Sequence, residues 1–158
     1  MPRYAGHFDL HNSAADVDLR HNHAKLMNTI ETIENVFWGK EEYPSYLVST
    51  CHALRKKDLD LFEVEDYRIL IGQNIGLKIL IPRAIEILKE NIFAEGDMFE
   101  GDLLKSVLSS DKEYWNMHWE QKDQMIALFE YNINNLQNSA AFLAVDKLMI
   151  EKFEKFKS

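Results

Sequence analysis

The sequence predicts an all-α protein, a compact bundle of about seven helices behind an irregular segment over residues 1–22. Two observations carry this. Apolar residues recur at three- and four-residue steps in most segments, which is the period of one helix face. Turn-forming residues are also scarce: there are six Gly and three Pro in 158 residues, and neither type occurs in the last 57. Many-stranded sheets need frequent turn residues, so such long stretches without them favour helices. A chain of this length suits one domain with a real core, and no linker or internal repeat divides it, so 1–158 is read as one unit.

The elements follow in order. From His23 to Phe37, apolar positions fall at Leu26, Ile30, Ile33 and Phe37, an amphipathic face with Asn22 as candidate N-cap and Gly39 as a stop. Pro44 suits the first turn of the next helix, where Leu47, Val48, Cys51 and Leu54 would face inward. Arg55, Lys56 and Lys57 near its end complement the negative helix pole. Phe62–Gly72 reads as a short helix with Glu63, Glu65 and Asp66 in its first turns. Ile75–Ile81 is apolar enough for a strand or a buried helix. Because proline inside a helix costs about 3 kcal/mol, two helical pieces meeting near Pro82 are expected. Gly101 or Asp102 caps a helix bearing Leu103, Leu104, Val107 and Leu108. Ser110 with Glu113 has capping-box spacing, ahead of a stripe of Trp115, Trp119, Ile126, Phe129, Ile133 and Leu136. Ser139 would cap a last helix carrying Phe142, Leu143, Leu148, Met149, Phe153 and Phe156. The expected core includes Leu26, Ile30, Leu54, Ile71, Leu80, Ile85, Leu88, Leu104, Trp119 and Phe129.

Charge narrows the function classes. Twenty-six acidic residues against eighteen basic ones give a net charge of −8. Nucleic-acid binding depends on cationic groups releasing counterions, so direct binding there is disfavoured and basic partners are favoured. No apolar run approaches the roughly 20 residues of a membrane-spanning helix. The segment MPRYAGHFDLHNS lacks the apolar core of an export signal, and the lone Cys51 forms no internal disulfide. A cytoplasmic protein is expected.

Motifs of chemistry are weak. His7, His11, His21 and His23 crowd the N-terminal segment, but His21-Asn22-His23 stands alone, and residues two apart on a helix do not face each other. Cys51 and His52, being adjacent, would point about 100° apart on a helix, and Cys51 shares the apolar face of Leu54. Gly72-Gln73-Asn74-Ile75-Gly76 has neither phosphate-loop pattern and reads as a chain reversal. No catalytic residue, metal site or cofactor site is therefore expected. Two acidic groups remain. One is Glu95, Asp97, Glu100 and Asp102, interleaved with Gly96, Met98, Phe99 and Gly101; the other is Asp58, Asp60, Glu63, Glu65 and Asp66. The first lacks the calcium-loop pattern. Caps and solvated surface account for many of these carboxylates. The remainder suits a basic partner, with Glu95, Asp97, Glu100, Asp58, Asp60 and Glu63 as candidate contacts and Phe99 as an apolar anchor.

The stretch Leu47–Leu104 adds a resemblance. Thr50-Cys51-His52, Leu54-Arg55-Lys56-Lys57, Val64-Glu65-Asp66, Ile71-Gly72-Gln73-Asn74-Ile75-Gly76-Leu77 and Phe93-Ala94-Glu95-Gly96-Asp97 resemble the contact-dependent growth inhibition immunity proteins, often called CdiI. Asp58, Ile92 and Glu100 stand where that pattern has proline. The resemblance implies a protein that binds and neutralises the C-terminal toxin domain of a CdiA-type effector, expected to be basic and a nuclease. Two other classes compete with it: a helical regulatory or adaptor protein that binds a partner helix, and a small hydrolase using His52 or His118 with a carboxylate.

Overall fold

The computed structural model describes residues 28–40, 44–136 and 147–158. Among these are eight α-helices, one 3₁₀ turn and no strand. The protein is all-α, as its apolar spacing predicts.

Helix α1 (Ile30–Glu34) is short. Thr29 and Thr32 cap its start reciprocally: each hydroxyl oxygen accepts the other's backbone N–H, at 3.1 and 3.2 Å. Asn35, in the left-handed conformation at φ 53°, ends it well before Gly39. Ile30 is fully buried, but Ile33 and Phe37 are 49% and 66% exposed. Among the described residues of the expected inward face, Ile30 alone reaches the core: Ile33 is exposed although it lies within the helix, and Phe37 falls beyond its end. Asn22 and Leu26 lie outside the described residues.

Helix α2 (Tyr46–Lys56) starts after Pro44, which therefore lies outside its first turn, because the Ser45 hydroxyl accepts the Val48 N–H at 3.3 Å and caps the helix there. Its inward face is Cys51, Leu54 and Arg55, while Leu47 and Val48 are exposed. A 3₁₀ turn (Leu59–Leu61) leads into α3 (Val64–Gly72). Asn74 and Gly76, both at positive φ, then reverse the chain.

Helix α4 (Leu77–Glu90) corrects the expectation at Pro82, because one continuous helix contains that proline. Leu77, Leu80, Ile81, Ala84, Ile85 and Leu88 are all buried on one side of it. Each buried Leu or Ile contributes roughly 1.5–3 kcal/mol, which together outweighs one lost hydrogen bond. The carbonyl deprived of its partner belongs to Lys78, an exposed residue that water can serve.

Helices α5 (Asp102–Leu108) and α6 (Lys112–Met117) follow. Gly101, at φ 82°, caps α5. The cap of α6 is Asp111, whose carboxylate accepts the Glu113 N–H at 3.0 Å, not Ser110. The Ser110 hydroxyl instead donates to the Val107 carbonyl at 2.7 Å and accepts the Trp115 indole N–H at 2.9 Å. His118 breaks the expected aromatic stripe, so Trp115 closes α6 inward while Trp119 opens α7 (Trp119–Leu136) and is 63% exposed. Met125 and Phe129 carry the buried face of α7. In α8 (Lys147–Lys157), Met149, Phe153 and Phe156 are buried; Ser139, Phe142 and Leu143 fall outside the described residues.

The buried side chains from Ile30 to Phe156 form one hydrophobic cluster. Helix α3 packs along α5, α4 contacts α3, α5 and α7, and α8 rests on α5. Among the described residues, no helix is long and apolar enough to cross a membrane.

Candidate functional site

The loop from Asn91 to Gly101 is held through its backbone by two carboxylates. At its base, the Asn91 side chain accepts the Phe93 N–H at 3.0 Å, and the Gly101 N–H donates to the Phe93 carbonyl at 3.1 Å. Inside it, Asp102 is 2% exposed and accepts the N–H groups of Gly96 at 2.7 Å and Met98 at 3.1 Å. From the other side, Glu65 on the first turn of α3 accepts the Asp97 N–H at 2.9 Å. Arg68, one turn further along α3, links the two clamps. Its guanidinium grips Glu65 at 2.5 and 2.6 Å and lies 3.7 Å from Asp102.

These bonds explain the electrostatics. The hydrogen bond from Arg68 is the main reason the Glu65 carboxyl is held below its ordinary range, aided by the Asp97 amide and opposed by partial burial. Gly96 is required by close approach: a Cβ there would overlap the Glu65 carboxylate and lie 3.1 Å from Asp102. Every loop contact to the clamps is made by main-chain N–H groups. The side chains of Glu95, Asp97, Met98, Phe99 and Glu100 are left exposed. Phe99 is steadied by the Lys105 ammonium, 5.0 Å from its ring centroid.

The predicted residues thus divide by role. Glu95, Asp97, Phe99 and Glu100 lie together on the loop surface, whereas Asp102 is a buried positioning group. In the second acidic group, Glu65 joins the clamp, and Asp66 accepts from Lys57 at 2.6 Å and from the Glu63 N–H at 2.9 Å. The Asp58 carboxylate accepts the Asp60 N–H at 3.0 Å and caps the 3₁₀ turn. Asp58, Asp60 and Glu63 flank the start of α3, the same first turn on which the loop docks. Arg68 escaped the sequence reading, although its three-residue spacing from Glu65 is the signal that could have found it.

The weaker motifs resolve structurally. Arg55 does not lie on a solvated helix end: it is 2% exposed, pairs with Glu34 at 2.7 Å, donates to the Val36 carbonyl at 2.8 Å and covers the Trp38 ring at 4.4 Å. Burial raises the Cys51 thiol, the opposite of an activated thiolate. His52 packs edge-on against Trp38. The Nδ1 of His118 is 2.7 Å from the Tyr114 carbonyl, and its ring stacks on Tyr114. Among the described residues, no group of three or more His, Cys, Asp and Glu side chains is arranged to hold a metal ion. The four N-terminal histidines lie outside them.

The most distinctive site is thus a displayed acidic surface on a fixed backbone, not an enclosed cavity. A family model described as CDI immunity proteins matches residues 32–125, which is 94 of the 158 residues, and the chain belongs to that family. The matched span contains both clamping carboxylates, Arg68 and the whole loop. No match was found among the curated proteins or among the solved structures.

Proposed function

We propose that this chain acts as an immunity protein in the cytoplasm by binding the C-terminal toxin domain of a CdiA-type effector, and that the toxin is a basic nuclease. Family membership supports the immunity role. The observation that carries the finer reading is the clamped loop, which holds Glu95, Asp97 and Glu100 around Phe99 at fixed backbone positions. A nuclease needs a cationic groove for its substrate, and a net charge of −8 complements such a groove. The carboxylates cover the groove, Asp58, Asp60 and Glu63 extend the contact, and Phe99 inserts as the apolar anchor. Protection follows from blocked substrate access and needs no cofactor, metal or direct nucleic-acid contact.

Binding of the cognate toxin domain is the test. Glu95→Ala, Asp97→Ala and Glu100→Ala slow association and flatten its salt dependence, whereas Phe99→Ala speeds dissociation at a cost of about 2 kcal/mol. If all four variants match the parent in affinity, rates and salt slope, the contact lies elsewhere. Protection by occlusion also survives Cys51→Ser combined with His118→Gln. Loss of protection in that variant with fold and stability retained would indicate a catalytic role.

A further inference from the structure

One cleft of this acidic protein is lined by three lysines and no carboxylate. It lies where α5, α6, α7 and α8 meet, is lined by Leu108, Ser110, Lys112, Trp115, Lys122, Lys155 and Phe156, and has a volume of about 100 Å³. Lys112, Lys122 and Lys155, from three different helices, line this space, and no ion pair among the described residues engages any of them. Like charges lining one cleft repel one another, and an anion placed between them relieves that repulsion.

The floor fixes the kind of anion. Trp115 and Phe156 are buried and meet edge to face with centroids 4.9 Å apart, and the Lys122 ammonium sits 5.6 Å from the Phe156 ring centroid. The Ser110 hydroxyl proton is committed to Val107, and one of its lone pairs to Trp115. Serine therefore has no proton to offer a ligand, and recognition falls to the lysines acting as point charges, a role lysine fills for phosphate. Asp111, the neighbouring carboxylate, turns one oxygen to the Glu113 N–H. The space is small and partly open to solvent, which suits a compact anion such as phosphate.

We propose that this cleft is a phosphate site, in which a phosphate dianion, free or as the end group of a phosphomonoester, is held by Lys112, Lys122 and Lys155. Bound there, it ties α8 to α6 and α7 through charge.

The full chain is titrated with sodium phosphate and, separately, with sodium chloride at matched ionic strength, following thermal unfolding and the phosphorus NMR line width. Phosphate gives a saturable rise in melting temperature that chloride does not. Lys122→Gln and Lys155→Gln each raise the phosphate needed by about tenfold, the loss expected for one charge-assisted hydrogen bond. Lys89→Gln, in a pair with Glu86 on α4, responds like the parent. A nucleoside 5′-monophosphate compared with its nucleoside distinguishes the sources: stabilisation by the monophosphate assigns the site to phosphomonoesters, and stabilisation by inorganic phosphate alone assigns it to the free ion. A chloride response equal to the phosphate response overturns the proposal, as does an unchanged response in both variants. If Lys122→Gln loses its helical spectrum, Lys155→Gln, on the exposed side of α8, decides.

Discussion

The Glu65 carboxylate and the Asp97 backbone N–H meet at 2.9 Å across 32 residues of sequence, fastening the acidic loop to the first turn of α3. The same carboxylate is paired with Arg68, so one side chain joins helix charge to loop position.

Acid should loosen this fastening. The folded-state pKa of Glu65 is lowered, chiefly by its hydrogen bond from Arg68. Its contribution is therefore fully present above the ordinary carboxylate range and is lost as pH falls through the depressed folded value. Glu65→Gln should cost about 1–2 kcal/mol at neutral pH and flatten the acid limb of stability. Urea unfolding midpoints measured from neutral to acidic pH check this; an acid limb as steep as the parent's would exclude it.

Alkali acts through Tyr114. Burial pushes its phenol up to about 12, only partly offset by the hydrogen bond to Gln121. A raised folded pKa means the stabilisation is complete below the ordinary tyrosine value and disappears as pH climbs toward the raised one. Tyr114→Phe should lose about 1 kcal/mol at neutral pH and lack this part of the alkaline decline, as read from melting temperature against pH.

Arg55 should be intolerant of lysine. Its planar group serves Glu34, the Val36 carbonyl and the face of Trp38 at once, a geometry a single ammonium does not reproduce. Arg55→Lys should cost about 1–2 kcal/mol and Arg55→Ala about 2–3, less than a fully buried pair would lose because Glu34 remains partly open to water. Denaturant unfolding of both variants tests the order.

Pro82 offers a stabilising change. Pro82→Ala restores an N–H to the Lys78 carbonyl and removes a ring from the second turn of α4. It also gives the unfolded chain more freedom, which opposes the gain by up to about 1 kcal/mol. The net expectation is stabilisation of about 1–2 kcal/mol. A lower melting temperature would show that the ring's own packing matters more.

The helical class and most buried residues of α4 and α5 were legible because their apolar residues keep helical spacing, whereas of the buried residues of α3 and α7 only Ile71 and Phe129 were read as core. The misreadings have local causes. Phe37 keeps helical spacing with Ile30 and Ile33, but Asn35 ends the helix before it. Trp115 and Trp119 are four apart, yet His118 puts them on different helices. Pro82 looked like a boundary because propensity counts the lost bond and not the buried face beyond it. At the site, composition located the acidic loop, on which Glu95, Asp97 and Glu100 are exposed. The clamp was hidden because Glu65 and Asp97 are neighbours only after α3 and α5 have packed.

The main-chain character of the clamp separates two tasks that a loop usually combines. Glu65 and Asp102 hold main-chain N–H groups, which replacement residues at 97, 98 and 99 keep, proline excepted, and which changes at 95 and 100 do not touch. The charge, size and shape displayed by the loop can therefore change one residue at a time while its path stays fixed. Selection on what the loop meets and selection on whether the protein folds act on different residues, and the surface is free to diversify at little risk to the scaffold.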